Sequence, residues 1–136
     1  MSISTGLCPE ERALRHCLLL DLKDDPAAIE EYEAKHRAIW PEVAQHLRRN
    51  GVLSMEIYRL GTRLCMVMET DDERFDADRM AQSEAQDPRV QAWEALMWRF
   101  QAPTPWTQPG RKWTPATRIF DLAAQPSTPE PGQTLA

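Results

Sequence analysis

Tyr32, His36 and Trp40 recur at intervals of four residues, and Pro41 follows directly. On a helix this spacing stacks the phenol and the imidazole on one face. Pro41 removes a backbone donor and pushes Trp40 out of the helical region, so the helix should break just after His36. His36 then occupies the last turn, where the dipole favours an imidazolium. A group able to hold and return a proton near neutral pH, set beside a phenol, is suited to general acid–base chemistry. The same pattern also fits a satisfied core histidine on an amphipathic helix. His16 and His46 read as structural or solvated. No close spacing of His, Cys or carboxylate makes a metal pattern, so a metal site is not expected.

Trp40, Trp93, Trp98, Trp106 and Trp113 all fall in or beside expected helix ends and loops. Flat aromatic faces pack against the C–H face of a pyranose, and an indole N–H can meet a hydroxyl. Taken singly, the tryptophans read as structure, Trp93 as helix core and the loop pair as caps on the fold. Trp93 and Glu94 are consecutive, about a hundred degrees apart on a helix, so both can border one pocket. Cys65, Met66 and Met68 read as core, and Asp71-Asp72-Glu73 as a solvated helix start.

The elements that must position these groups are legible in outline. Cys17 to Leu22 is a short apolar run that reads as a buried strand. Asp25 and Pro26 form an N-cap followed by proline at the first helical position. Ile29, Tyr32, His36, Ile39, Val43 and Leu47 then recur at threes and fours until Gly51 ends the segment. Val52 to Leu60 is expected as a strand with Leu53, Met55 and Ile57 on one face and Ser54, Glu56 and Tyr58 on the other. Leu64 to Thr70 is apolar on both faces, as for a central strand covered on two sides. A helix from about Arg74 to Ala85 precedes a second cap-plus-proline signal at Asp87 and Pro88, with an apolar stripe through Val90, Trp93, Met97 and Phe100. After a Pro-rich loop, Thr117 to Leu122 is expected as a last strand. The order β-α-β-β-α-β is an α+β, ferredoxin-like arrangement, an antiparallel sheet with helices on one face. Ser54, Glu56 and Tyr58 cannot seal a monomer core on the second face, which favours a homodimer packed sheet to sheet.

With 136 residues the chain fits one domain, expected at 13–122, between an N-terminal tail at 1–12 and a disordered Pro-rich C-terminal tail at 123–136. A net charge of −5 argues against nucleic acid or an anionic membrane as partner. The start of the chain has no secretory-signal pattern, and three cysteines leave an odd thiol under any pairing, so a reduced, cytoplasmic setting is the simplest reading.

The segment Tyr32-Glu33-Ala34-Lys35-His36-Arg37-Ala38-Ile39-Trp40-Pro41-Glu42 resembles the Tyr-x-x-x-His-x-x-x-Trp-Pro-Glu signature of the L-rhamnose mutarotase family. The resemblance runs from about Leu14 to Leu122. It implies an enzyme that interconverts the anomers of a 6-deoxy sugar without a cofactor, on a dimeric α+β barrel type of fold. It also implies His36 as the proton donor and Tyr32 as a sugar contact. Two pocket positions depart from the family: Met55 replaces a tyrosine, and Trp93-Glu94 replaces a Trp-Trp pair. Together with Trp98-Arg99-Phe100 and Pro109-Gly110-Arg111-Lys112-Trp113 these are similar to a sub-branch linked with L-fucose. On that reading Trp93 and Met55 cover the apolar face and methyl group, and Glu94 accepts from a hydroxyl. Two other activities fit the same fold: a non-catalytic sugar-binding module, and a cofactor-free monooxygenase acting on flat aromatics.

Overall fold

A computed structural model describes residues 13–128. The expected N-terminal tail at 1–12, and residues 129–136 of the expected C-terminal tail, lie outside them. Five strands and four helices follow in the order β1 (Ala13–Leu22), α1 (Pro26–His36), α2 (Pro41–Arg49), β2 (Val52–Leu60), β3 (Arg63–Asp71), α3 (Ala77–Ala85), α4 (Pro88–Trp98), β4 (Gln101–Ala102) and β5 (Thr114–Pro115). A single turn of 3-10 helix covers Leu122–Ala124. All strand pairings are antiparallel, in the order β2-β3-β1-β4, with β5 also on β1.

Caps and prolines set the helix limits. Asp25 accepts from the backbone N–H groups of Ala27 and Ala28 at 3.1 and 3.4 Å, and Pro26 opens α1. Asp87 does the same for Arg89 and Val90 at 3.0 and 3.3 Å, ahead of Pro88 in α4. Each cap satisfies donors that a helix start leaves unpaired. Trp40 is extended (φ −62°, ψ 134°) as the residue before Pro41 must be, which separates α1 from α2 directly after His36.

The helices lie on one face of the sheet, over a core of Leu20, Leu22, Leu64, Met66, Val90 and Met97 and their neighbours. On β3 the residues Leu64, Met66, Met68 and Thr70 are buried, and Cys65, Val67 and Glu69 between them are only half-buried. The central strand is therefore covered on one side, not on two. In β2 a bulge between Val52 and Ser54 shifts the register, so Val52, Met55 and Ile57 face the helices while Leu53 stands exposed.

Two further expectations are corrected. The sheet is open and is not closed into a barrel: β2 forms one edge, short β4 and β5 lie against β1 at the other side, and no ladder joins the two among the described residues. The expected strand at Thr117 to Leu122 is absent. Its apolar residues Ile119, Phe120 and Leu122 are 94, 64 and 75% exposed. The chain leaves the β1 edge after the bond from Ala116 N–H to the Cys17 carbonyl (2.8 Å), and Asp121 instead caps the turn at Leu122–Ala124, accepting from Ala123 N at 3.1 Å. A local side-chain cap thus takes the place of a ladder.

Candidate active site

One cavity of about 670 Å³ opens between the sheet and the helices. That volume lies within the range of small-molecule sites. Tyr32, His36, Met55, Trp93 and Glu94, delivered by α1, β2 and α4, all line it.

The chemistry concentrates at the end of α1. His36 Nδ1 lies 2.8 Å from the Tyr32 backbone carbonyl. A carbonyl oxygen only accepts, so Nδ1 carries the proton and Nε2 keeps its lone pair. The bond also satisfies one of the carbonyls that a helix end leaves open. Burial pushes the imidazole below its ordinary value of 6.5, against the smaller opposing effect of this backbone bond. The imidazolium expected from the helix dipole therefore gives way to a neutral ring, because desolvation of the charge outweighs the favourable helix end.

The Tyr32 ring stands 4.2 Å from that of His36, centroid to centroid. Its hydroxyl receives a hydrogen bond from Gln101 Nε2 at 3.2 Å. Burial raises the phenol above 10.0, with Gln101 pulling the other way and the charge of Glu94 adding to the rise. Tyr32 consequently stays protonated near neutral pH, and with its oxygen already accepting from Gln101 its own O–H is available to donate. Trp93 packs edge-on against both His36 (5.6 Å) and Trp40 (5.2 Å), which holds the imidazole on its far side.

Glu94 is not free. Its carboxylate accepts from Lys112 Nζ at 2.8 Å and its backbone carbonyl from the same ammonium at 3.1 Å. Glu84 shares the wall, its carboxyl raised by burial and by the charge of Glu94 and lowered by Lys112. His46 also reaches the cavity, buried rather than solvated, with Nδ1 3.5 Å from Ser83 Oγ. His16 is structural, 2.9 Å from Thr70 Oγ1. Among the described residues no group of three His, Cys, Asp or Glu could hold a metal ion.

Sequence reasoning missed Gln101, Glu84 and Lys112 as cavity residues. Gln101 follows Phe100, where the apolar stripe of α4 ends, and a polar residue beyond a helix carries no periodic signal. Lys112 comes from the Pro-rich loop, whose path no spacing rule fixes. The tryptophans there divide: Trp113 packs against the core and lines the cavity, whereas Trp106 is exposed with the Arg63 guanidinium 5.4 Å from its ring.

Comparison with known proteins gives the family. A sequence profile described as L-rhamnose mutarotase matches residues 15–122. A protein named L-fucose mutarotase from Xanthomonas campestris pv. campestris is 50% identical over 111 residues, covering 80% of this chain and 88% of the relative. A UPF0734 protein of Dictyostelium discoideum is 34% identical over 109 residues, covering 76% and 85% respectively. The crystal structure of an L-rhamnose mutarotase from Formosa agariphila superposes with a TM-score of 0.58 at 19% identity, over 80% of this chain and 98% of that one, a likeness of fold. From the profile match and the identity to these relatives, the chain belongs to the L-rhamnose mutarotase family and is an aldose mutarotase.

Proposed function

We propose that the chain interconverts the α and β anomers of a 6-deoxy sugar, with L-fucose preferred over L-rhamnose, and that His36 and Tyr32 are its base and acid. The observation that carries this is an imidazole whose Nδ1 is taken up by the Tyr32 carbonyl, leaving Nε2 for the substrate, beside a phenol whose oxygen accepts from Gln101, in one cavity. His36 Nε2 takes the proton of the anomeric hydroxyl while Tyr32 Oη gives its proton to the ring oxygen. The C1–O5 bond breaks, leaving an open-chain aldehyde with a free O5 hydroxyl. Rotation about C1–C2 presents the other face of the carbonyl. On closure O5 attacks C1, Tyr32 recovers its proton from O5, and His36 returns its proton to the carbonyl oxygen. Proton transfer of this kind contributes about 10²–10⁴-fold in rate, and nothing in the cycle requires a cofactor.

Trp93 and Met55 supply apolar surface for the C–H face and the methyl group, and Glu94 accepts from a hydroxyl. The preference for L-fucose is supported by Met55 and Glu94 at the two departing positions, and by the 50% identity to the Xanthomonas protein of that name. Saturation-transfer NMR on the anomers of both sugars tests it. Faster exchange of L-fucose supports the preference, and faster exchange of L-rhamnose contradicts it.

We also propose that two copies pair through the outer sheet face. Cys17, Leu19, Cys65, Val67 and Tyr58 form an incompletely buried stripe there, flanked by the ion pairs Arg15–Glu69 (3.4 Å) and Asp21–Arg63 (2.8 Å). An apolar centre with a charged rim has the anatomy of a protein interface. Cys17 and Cys65 stand as free thiols 3.5 Å apart, which suits a reducing cytoplasm. No helix among the described residues is long and apolar enough to cross a membrane.

A further inference from the structure

The Pro-rich loop between β4 and β5 is pinned rather than loose. Thr104 N donates to Thr107 Oγ1 at 3.0 Å, and the hydroxyls of Thr104 and Thr107 meet at 2.8 Å. Thr107 Oγ1 in turn meets Thr114 Oγ1 at 2.9 Å. Thr114 donates onward to the Lys112 carbonyl at 3.1 Å, and its own strand pairs with β1. Three hydroxyls in a chain thus tie the two ends of the loop together and fix the backbone that carries Lys112.

From that backbone the Lys112 side chain reaches the wall of the cavity. It makes two hydrogen bonds to Glu94, one to the carboxylate and one to the carbonyl, and its ammonium lies 5.1 Å from the Trp98 ring. An ammonium has three donors, so these two bonds to one residue leave a third. The Lys112–Glu94 ion pair is part-exposed, 28 and 37% by side chain, so its contribution to folding stability is small. Its geometric effect is larger. A lone glutamate samples several rotamers, whereas a lysine anchored on the Glu94 backbone carbonyl holds the carboxylate in one through its second bond. Glu84 on the same wall places a second carboxylate near the ammonium, so without Lys112 the two acids would repel each other.

We propose that Lys112 is a positioning residue for sugar recognition: it fixes Glu94 as a hydroxyl acceptor and, beside it, offers a donor, so the pair reads the stereochemistry of neighbouring sugar hydroxyls. L-fucose and L-rhamnose differ in configuration at C2 and C4, so a rigid donor–acceptor pair can tell them apart where an apolar wall cannot. This rests on the mutarotase reading of the cavity and adds to it a residue outside the family signature.

The test is anomer exchange of L-fucose and L-rhamnose by wild type, Lys112→Met, Lys112→Arg, Glu94→Gln and the double variant, with circular dichroism as a control for folding. Lys112→Met is expected to raise KM for the preferred sugar about 10- to 100-fold, the scale of a hydrogen bond to a charged group. kcat should stay within about twofold, since the His36–Tyr32 pair is untouched. The ratio between the two sugars should collapse toward unity, and Lys112→Arg should recover part of it. The double variant should be little worse than either single one, as for residues acting as one unit. Should Lys112→Met fail to fold, Lys112→Gln, which also removes the ammonium, carries the same KM readout. Unchanged KM in a folded Lys112→Met, or equal loss for both sugars through kcat alone, overturns the inference. If wild type exchanges a sugar in a His36-dependent way and only the Lys112 effects are missing, the mutarotase reading survives without this addition. If wild type accelerates neither sugar, both fall.

Discussion

At the scale of single residues, the proposed mechanism turns on which of Tyr32 and His36 gives a proton first. The spacing of four made their meeting on one helix face legible, and Pro41 made the end of that helix legible. The protonation state was not legible. It depends on how far the cavity excludes water from His36 and on the donor that Gln101 brings from sixty-nine residues away. The structure points to a base whose value lies below 6.5, so the reactive neutral form is fully present above that pH and is lost as the pH falls through the depressed value. Exchange rates should thus be level between about pH 7 and 8 and decline only on the acid side of the ordinary histidine range. A rate that climbs as the pH falls through 6.5 would mean that the imidazolium, not the imidazole, does the work. Tyr32→Phe should leave the fold intact and cost about 10²-fold or more in kcat, because it removes the donor to the ring oxygen while keeping the ring that packs on His36. Steady-state exchange kinetics on that variant would show it.

At the scale of elements, long segments with caps were readable and short ones without were not. The paired signals Asp25-Pro26 and Asp87-Pro88 are local physics, and both helices begin there. The bulge at Val52–Ser54 has no sequence mark beyond two adjacent apolar residues, Val52 and Leu53, of which Leu53 stays in phase with Met55 and Ile57. The two-residue strands β4 and β5 are set by what lies opposite them on β1. Ile119 and Phe120 have strand-forming character, but propensity alone does not make a strand, and the Asp121 cap turns the chain at Leu122–Ala124 instead. Gly51, between α2 and β2, is the junction most sensitive to change. It has φ +90°, and a Cβ there would meet the backbone N of Phe75 at 3.0 Å and the carbonyl carbon of Arg74 at 3.1 Å. Gly51→Ala is therefore expected to cost about 1–3 kcal/mol, from the left-handed backbone together with the close approach. Thermal unfolding would read this as a Tm lower by several degrees. An unchanged Tm would show that the α2–β2 junction relaxes freely.

At the scale of the whole molecule, an open sheet leaves one face uncovered, and the apolar stripe of that face is where the proposed pairing of copies would form. Ser54, Glu56 and Tyr58 already marked the face as unsealed in the sequence. That the sheet stays open depends on which strands share edges, a property of topology that no run of residues encodes. If the stripe is an interface, sedimentation equilibrium should return twice the chain mass of 15.6 kDa. Val67→Asp, which places a charge in the middle of the stripe, should shift the population to monomer while circular dichroism stays native. A wild-type monomer at micromolar concentration would remove the proposed partner.

The most direct test of the whole account is anomer exchange of L-fucose by saturation-transfer NMR, with wild type and His36→Ala compared at equal concentration near pH 7.5. The account predicts clear acceleration by wild type and a loss of about 10²-fold or more in the variant, whose fold should be unchanged. Full acceleration by a folded His36→Ala would contradict it, and would leave the imidazole at the end of α1 as a packing group in a cavity whose proton transfer is done elsewhere.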